Sequence, residues 1–159
     1  MIRNHQGISA LEVTIATFLV VTCAAIGVDL TILSIGYSFL DSTTRDAARA
    51  AGSQQSAAAA VQAAQSQLSI HQTDGNFVQQ PTLVSTVSPY FVYQDFGGAA
   101  PPNPSQSPYV TVTCQENIRL PVNISFFGVS LGSFTNSNGF LTITRQYTFP
   151  IVKEKFYAQ

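Results

Sequence analysis

The run ISALEVTIATFLVVTCAAIGVDLTILSIGYSFL, Ile8 to Leu40, contains no Lys or Arg and only two charges, Glu12 and Asp29. Its first 21 residues, Ile8 to Val28, make roughly 31 Å of helix, which matches the hydrocarbon core of a bilayer. The whole run to Leu40 would reach roughly 50 Å, too long to cross without strong tilt. Asp29 is therefore expected near the far interface, with Leu30 to Leu40 continuing the helix outside the membrane and needing protein to cover it. Arg3 precedes the span, so the N-terminus is expected in the cytoplasm and the remainder exported. Arg45 and Arg49 weaken that charge bias, but they lie in a region that must translocate anyway. A cleaved secretory signal fits poorly, because its apolar core runs to about 7–15 residues and gains nothing from an acid near its start.

Outside this run the chain is unusual for what it lacks. Of 159 residues only 9% are charged, against about 25% in an ordinary soluble domain. Seven Lys+Arg against eight Asp+Glu give a net charge of −1, which leaves no cationic footprint for nucleic acid. Eleven Phe and six Tyr argue against disorder. Two cysteines, Cys23 and Cys114, make no disulfide framework, and with two histidines they supply no zinc-ligand spacing. Asp74, Asp95, Glu116 and Glu154 are scattered, and no nucleophile elbow or phosphate loop is present. Catalysis, a metal and a cofactor are therefore not expected.

Glu12 needs a reason, because an ionised side chain costs ~2.5–3.5 kcal/mol at the centre of a span and less near an interface. One reading has it snorkelling to the headgroups or complementing the positive first turn of the helix. Another starts from spacing: Gly7 is followed by Ile8-Ser9-Ala10-Leu11-Glu12, with the acid fifth after the glycine. That resembles the type IV prepilin signature, in which a dedicated peptidase cuts after the glycine and the apolar helix is retained. Cleavage between Gly7 and Ile8 would expose an amine with a pKa of ~7.7–8. The Glu12 carboxylate of the same or a neighbouring helix can then pair with it, offsetting the cost of burying both; the resemblance assigns that pairing to subunit assembly.

From Asp41 to Leu68 the chain is rich in Ala and Gln and free of Pro, which favours helix. Asp41–Arg45 and Asp46–Arg49 are spaced as helical ion pairs. Ala47, Ala50, Ala57, Val61, Ala64 and Leu68 fit one face, Gly52 and Ser53 offer a kink, and Thr73-Asp74-Gly75-Asn76 a terminating turn. Arg45-Asp46-Ala47-Ala48-Arg49-Ala50-Ala51 resembles the Arg-x-Ala-Ala-Arg-x-Ala stretch of TadE-like proteins, minor pseudopilins of the tight-adherence (Tad) pilus system. In that family a Gly-x-x-x-x-Glu head, a membrane helix with a second acid and an arginine pair follow in order. Gly7, Glu12, Asp29, Arg45 and Arg49 stand at those places, and the resemblance covers about residues 3 to 52. Taken alone, Arg45 and Arg49 read better as a solvated helix face near lipid headgroups.

Beyond Phe77 the signals turn to β. Tyr109–Cys114 alternates with Val110, Val112 and Cys114 on one face, and Phe140–Phe149 with Leu141, Ile143, Tyr147 and Phe149 on one side and Arg145 interrupting. Asn123–Phe127 is a third strand candidate, and Gly97–Pro104 and Thr135–Gly139 read as loops. Cys114 reads as a core residue and His71 as a helix end.

The expected fold is α+β: a long N-terminal helix, membrane-spanning in its first half, packed on a small antiparallel β domain, as in pilins. The expected divisions are a leader at 1–7, a membrane and assembly helix at 8–40, an exported Ala-rich continuation at 41–72 and an exported β domain at 77–159. The resemblance implies a non-enzymatic minor pilin or pseudopilin, inserted in a bacterial inner membrane and trimmed by a prepilin peptidase. It would join other pilin subunits through its N-terminal helix, assembling into or priming a pilus for adhesion or secretion. The competing reading is an unprocessed single-pass anchor carrying an exported binding domain.

Overall fold

The computed structural model describes residues 4–99, 101–103, 106–121, 125–126, 129–130, 135 and 139–152. Asn4 to Gly52 form one 49-residue helix, α1, with no proline to interrupt it. The hydroxyls of Thr14, Thr17, Thr22 and Thr31 each donate to the carbonyl four residues back, at 2.8–2.9 Å. These polar groups are satisfied inside the helix and need no water around it.

The helix divides by what covers it. Every residue from Ala10 to Val21 is exposed, including Phe18 at 72% and Val20 at 63%. No residue from Ala10 to Val28 is buried, and α1 is long and apolar enough to cross a membrane. From Asp29 onward a stripe is buried: Asp29, Gly36, Leu40, Thr43, Thr44, Ala47, Ala48, Ala51 and Gly52. Steps of three, four and seven put these on one face, and that face lies on the β domain. Small residues set the approach. A Cβ on Gly36 would collide with Ile118 Cδ1 and stand 3.1 Å from Glu116 Oε1, and one on Gly52 would lie 2.9 Å from the Pro150 carbonyl oxygen.

Residues 41–72 do not continue as one helix. α1 stops at Gly52, whose carbonyl accepts from Val152 N at 3.1 Å, and a second helix, α2, runs from Ala57 to Ile70. Ser56 caps α2, its hydroxyl accepting from Ala59 N at 3.3 Å. α2 folds back along α1, so that His71, its C-cap, packs edge-on against Phe39 with ring centroids 6.1 Å apart. The single alanine face expected from the sequence is thus two faces, Ala47, Ala48 and Ala51 on α1 meeting Ala60, Ala64 and Leu68 on α2; Ala57 is exposed. Asp74 Oδ1 then accepts from the backbone N–H of Asn76, Phe77 and Val78, turning the chain toward the sheet.

The strands are β1 (Thr82–Leu83), β2 (Phe91–Gln94), β3 (Tyr109–Arg119), β4 (Ser125–Phe126), β5 (Val129–Ser130) and β6 (Phe140–Pro150), with a 3-10 turn at Phe96–Gly98. β3 and β6 pair antiparallel over their whole length, from Tyr109 opposite Pro150 to Arg119 opposite Phe140. The other edge of β3 takes β2, with Phe91 opposite Val112, and β1, with Thr82 opposite Gln115. β4 and β5 form a separate small hairpin. Of the third strand candidate, Ser125 and Phe126 are in β4, while Asn123, Ile124 and Phe127 lie outside the described residues.

Val110, Val112, Cys114 and Ile118 point from β3 onto the helices, completing a core with Leu40, Leu68, Phe91 and Ile151. The fold is α+β, a long N-terminal helix on a small antiparallel sheet, as the change of period from helical to alternating predicts.

Candidate functional site

The residues singled out by sequence are spread along α1 rather than gathered. Gly7 and Ile8 fall in its first turns. Glu12 stands exposed among Leu11, Val13 and Ile15, each at least 57% exposed. Asp29, seventeen residues on and so roughly 25 Å along the axis, is 2% exposed and opens the buried stripe. Arg49 is exposed in the last turn of α1, where a cation complements the helix dipole. The expected Asp46–Arg49 pair is replaced: Asp46 Oδ2 lies 3.7 Å from His71 Nε2, because α2 brings that imidazole back alongside.

Arg45 does enter a cluster, centred on Asp41. Asp41 Oδ2 accepts from Arg45 Nη2 at 3.0 Å, and Oδ1 accepts from the Tyr147 hydroxyl at 2.7 Å. Arg45 Nη2 also donates to the Tyr147 oxygen at 3.2 Å, and its guanidinium sits 5.3 Å from that ring. Arg145 Nε lies 3.7 Å from Asp41 Oδ1, and its guanidinium stacks 4.1 Å over Tyr37. Arg145 is no interruption of β6. It shares the inward face with Ile143 and Tyr147 because Asp41 and Tyr37 of α1 are there to receive it. Five side chains thereby tie the middle of α1 to β6, with Asp41 about one quarter exposed. This is a clamp between helix and sheet, where charge-assisted bonds hold geometry.

Glu116 has the most unusual surroundings. It points inward at the parity of Val110, Val112 and Cys114, is 1% exposed, and faces Gly36 of α1. Neither carboxyl oxygen has a hydrogen-bond partner. Burial without compensation pushes its pKa from 4.5 up to about 8. The carboxyl is therefore mostly neutral near pH 7. Extending the β3 alternation by one more pair would have found it in the sequence. Cys114, beside it on the same face, is buried and free of any disulfide, and burial pushes its thiol up to about 11. An unreactive core cysteine results.

Among the described residues no three His, Cys, Asp or Glu gather to hold a metal ion. No family model, curated protein or solved structure matches the chain. Fold and site together define an α+β chain whose core helix extends, without a break, into a bare apolar segment able to span a membrane.

Proposed function

We propose that the chain is a non-enzymatic minor pilin or pseudopilin subunit of a Tad-type system. It is inserted in a bacterial inner membrane with its N-terminus cytoplasmic, trimmed after Gly7 by a prepilin peptidase, and assembled into or used to prime a pilus serving adhesion or secretion. The observation that carries this reading is the continuity of α1: one helix is bare from Ala10 to Val21 and locked to the β domain from Asp29 to Gly52.

A helix so built can exchange lipid for neighbouring helices without disturbing the domain it carries. Its threonine hydroxyls are already satisfied, so neither surrounding penalises them. Glu12 biases the exchange, because lipid leaves it without a counter-charge whereas an assembly offers the amine of a trimmed Ile8. The resemblance of Gly7, Glu12, Asp29, Arg45 and Arg49 to the TadE-like pattern supports the same reading.

The test is Glu12→Ala in a host carrying the assembly system. The variant is expected to insert and be trimmed normally, yet to be lost from sheared filaments. Incorporation at the wild-type level refutes the role given to Glu12.

A further inference from the structure

The face of the sheet turned away from the helices carries a single charge along β3 and β6, Arg119 at the far end of β3, opposite Phe140. Register puts Thr111 beside Thr148, Thr113 beside Gln146, Gln115 beside Thr144 and Asn117 beside Thr142. One side of this face is walled near the middle of β3. Thr113 N donates to the Tyr90 carbonyl at 2.9 Å, so Tyr90, Thr113 and Gln146 form a row across three chain segments. Pro89, Tyr90, Thr113, Thr144, Arg145 and Gln146 line an open cleft of about 380 Å³, within the ~300–1,000 Å³ range of small-molecule sites.

Two features of the cleft call for a ligand. Thr113 is 7% exposed, and its Oγ1 is buried with no hydrogen-bond partner. Thr111, one pair along, has its hydroxyl satisfied by Thr148 at 2.9 Å, so the deficit is local to the cleft. Tyr90 is 45% exposed and stands at the wall. The guanidinium of Arg145 is turned to the opposite face, over Tyr37 and toward Asp41.

We infer that this cleft binds a neutral, polyhydroxylated ligand, a sugar unit of a glycan. An anion or cation entering it would lose water and gain no counter-charge. A wholly apolar ligand would leave Thr113, Thr144 and Gln146 unpaired. A sugar meets both demands: its C–H face packs on the Tyr90 ring, and its hydroxyls exchange hydrogen bonds with Thr144 and the Gln146 amide. The Tyr90 and Gln146 side chains lie at the surface, and their rotation lets a ligand hydroxyl reach Thr113 Oγ1. Nothing in this assignment depends on trimming at Gly7 or on filament assembly.

The experiment uses the full chain in phospholipid nanodiscs, avoiding glycoside detergents that would compete. Maltotriose, cellotriose, chitotriose and mannotriose, each at about 10 mM to populate a millimolar site, are probed by saturation-transfer NMR. At least one is expected to receive saturation. Thr113→Val, which keeps the shape and removes the hydroxyl, is expected to weaken that binding about five- to tenfold. Tyr90→Ala should weaken it by about tenfold or more, while Tyr90→Phe should preserve it. A merely structural Thr113 predicts unchanged binding and an unchanged or raised melting temperature in Thr113→Val. No transfer from any of the four sugars, or transfer indifferent to Thr113→Val and Tyr90→Ala, overturns the inference. So does self-association through this face, seen as a sedimentation change in Thr113→Val without sugar binding.

Discussion

Raising the pH should loosen α1 from the sheet through one side chain. Glu116 is neutral when buried opposite Gly36, and its pKa of about 8 stands above the 4.5 it has in an open chain. A folded-state pKa raised this way gives a stability that is complete below pH 4.5. It falls as pH climbs through the interval to about 8 and levels off beyond. At ~1.36 kcal/mol per pH unit, the gap corresponds to a loss on the order of 4–5 kcal/mol, of which roughly 3 kcal/mol has gone by pH 7. Arg145 sits diagonally across the β3–β6 pair but is engaged with Asp41 and Tyr37, so it does not neutralise the charge. Glu116→Gln keeps the shape and removes the titration. Urea unfolding in nanodiscs from pH 4 to 9, followed by tyrosine fluorescence since the chain has no Trp, measures both proteins. The wild type should lose stability steadily across this interval and the variant should not. Equal slopes in the two proteins, or a flat wild-type profile, would show that the carboxylate finds water or a cation and that the reasoning is wrong.

Three further outcomes follow from the helix–sheet contact. Gly36→Ala drives a methyl into Ile118 and should cost about 1–3 kcal/mol, read as a lower thermal midpoint; an unchanged midpoint would mean α1 lifts there at no cost. Tyr147→Phe removes the hydroxyl donated to Asp41 at 2.7 Å and should cost about 1–2 kcal/mol, with faster hydrogen exchange around Asp41 in α1. Unchanged exchange there would contradict the clamp. Cys114, buried with its thiol pushed up to about 11, should resist maleimide at pH 8 in the folded protein and react in denaturant. Rapid native-state labelling at Cys114 itself, resolved by peptide mapping from the exposed thiol of Cys23, would show the core to be open.

Much of this architecture is legible in the residues, for identifiable reasons. The apolar run before Asp29 and the alternation in Tyr109–Cys114 and Phe140–Phe149 are local patterns, and they become α1, β3 and β6. What local pattern cannot give is who sits opposite. The break falls at Gly52, where Gly52 and Ser53 offer a kink, but the fold-back of α2 is not local, so an alanine stripe that reads as continuous becomes two facing stripes. Arg145 looks like a flaw in β6 until Asp41 is placed against it, and Glu116 looks like one scattered acid until Gly36 closes over it. Spacing pairs Asp41 only with Arg45, one turn along, whereas the fold also brings it Tyr147 and Arg145. The sequence-derived sites near the N-terminus, Gly7, Ile8 and Glu12, concern what happens outside the folded domain, and there the chain's own contacts have little to add.

The most direct measurement is the mass of the N-terminal peptide from protein isolated from membranes of a host with a working prepilin peptidase. A chain starting at Ile8, its new amine available to Glu12, is expected. A mature protein that still carries Gly7 and the residues before it would overturn the pilin reading.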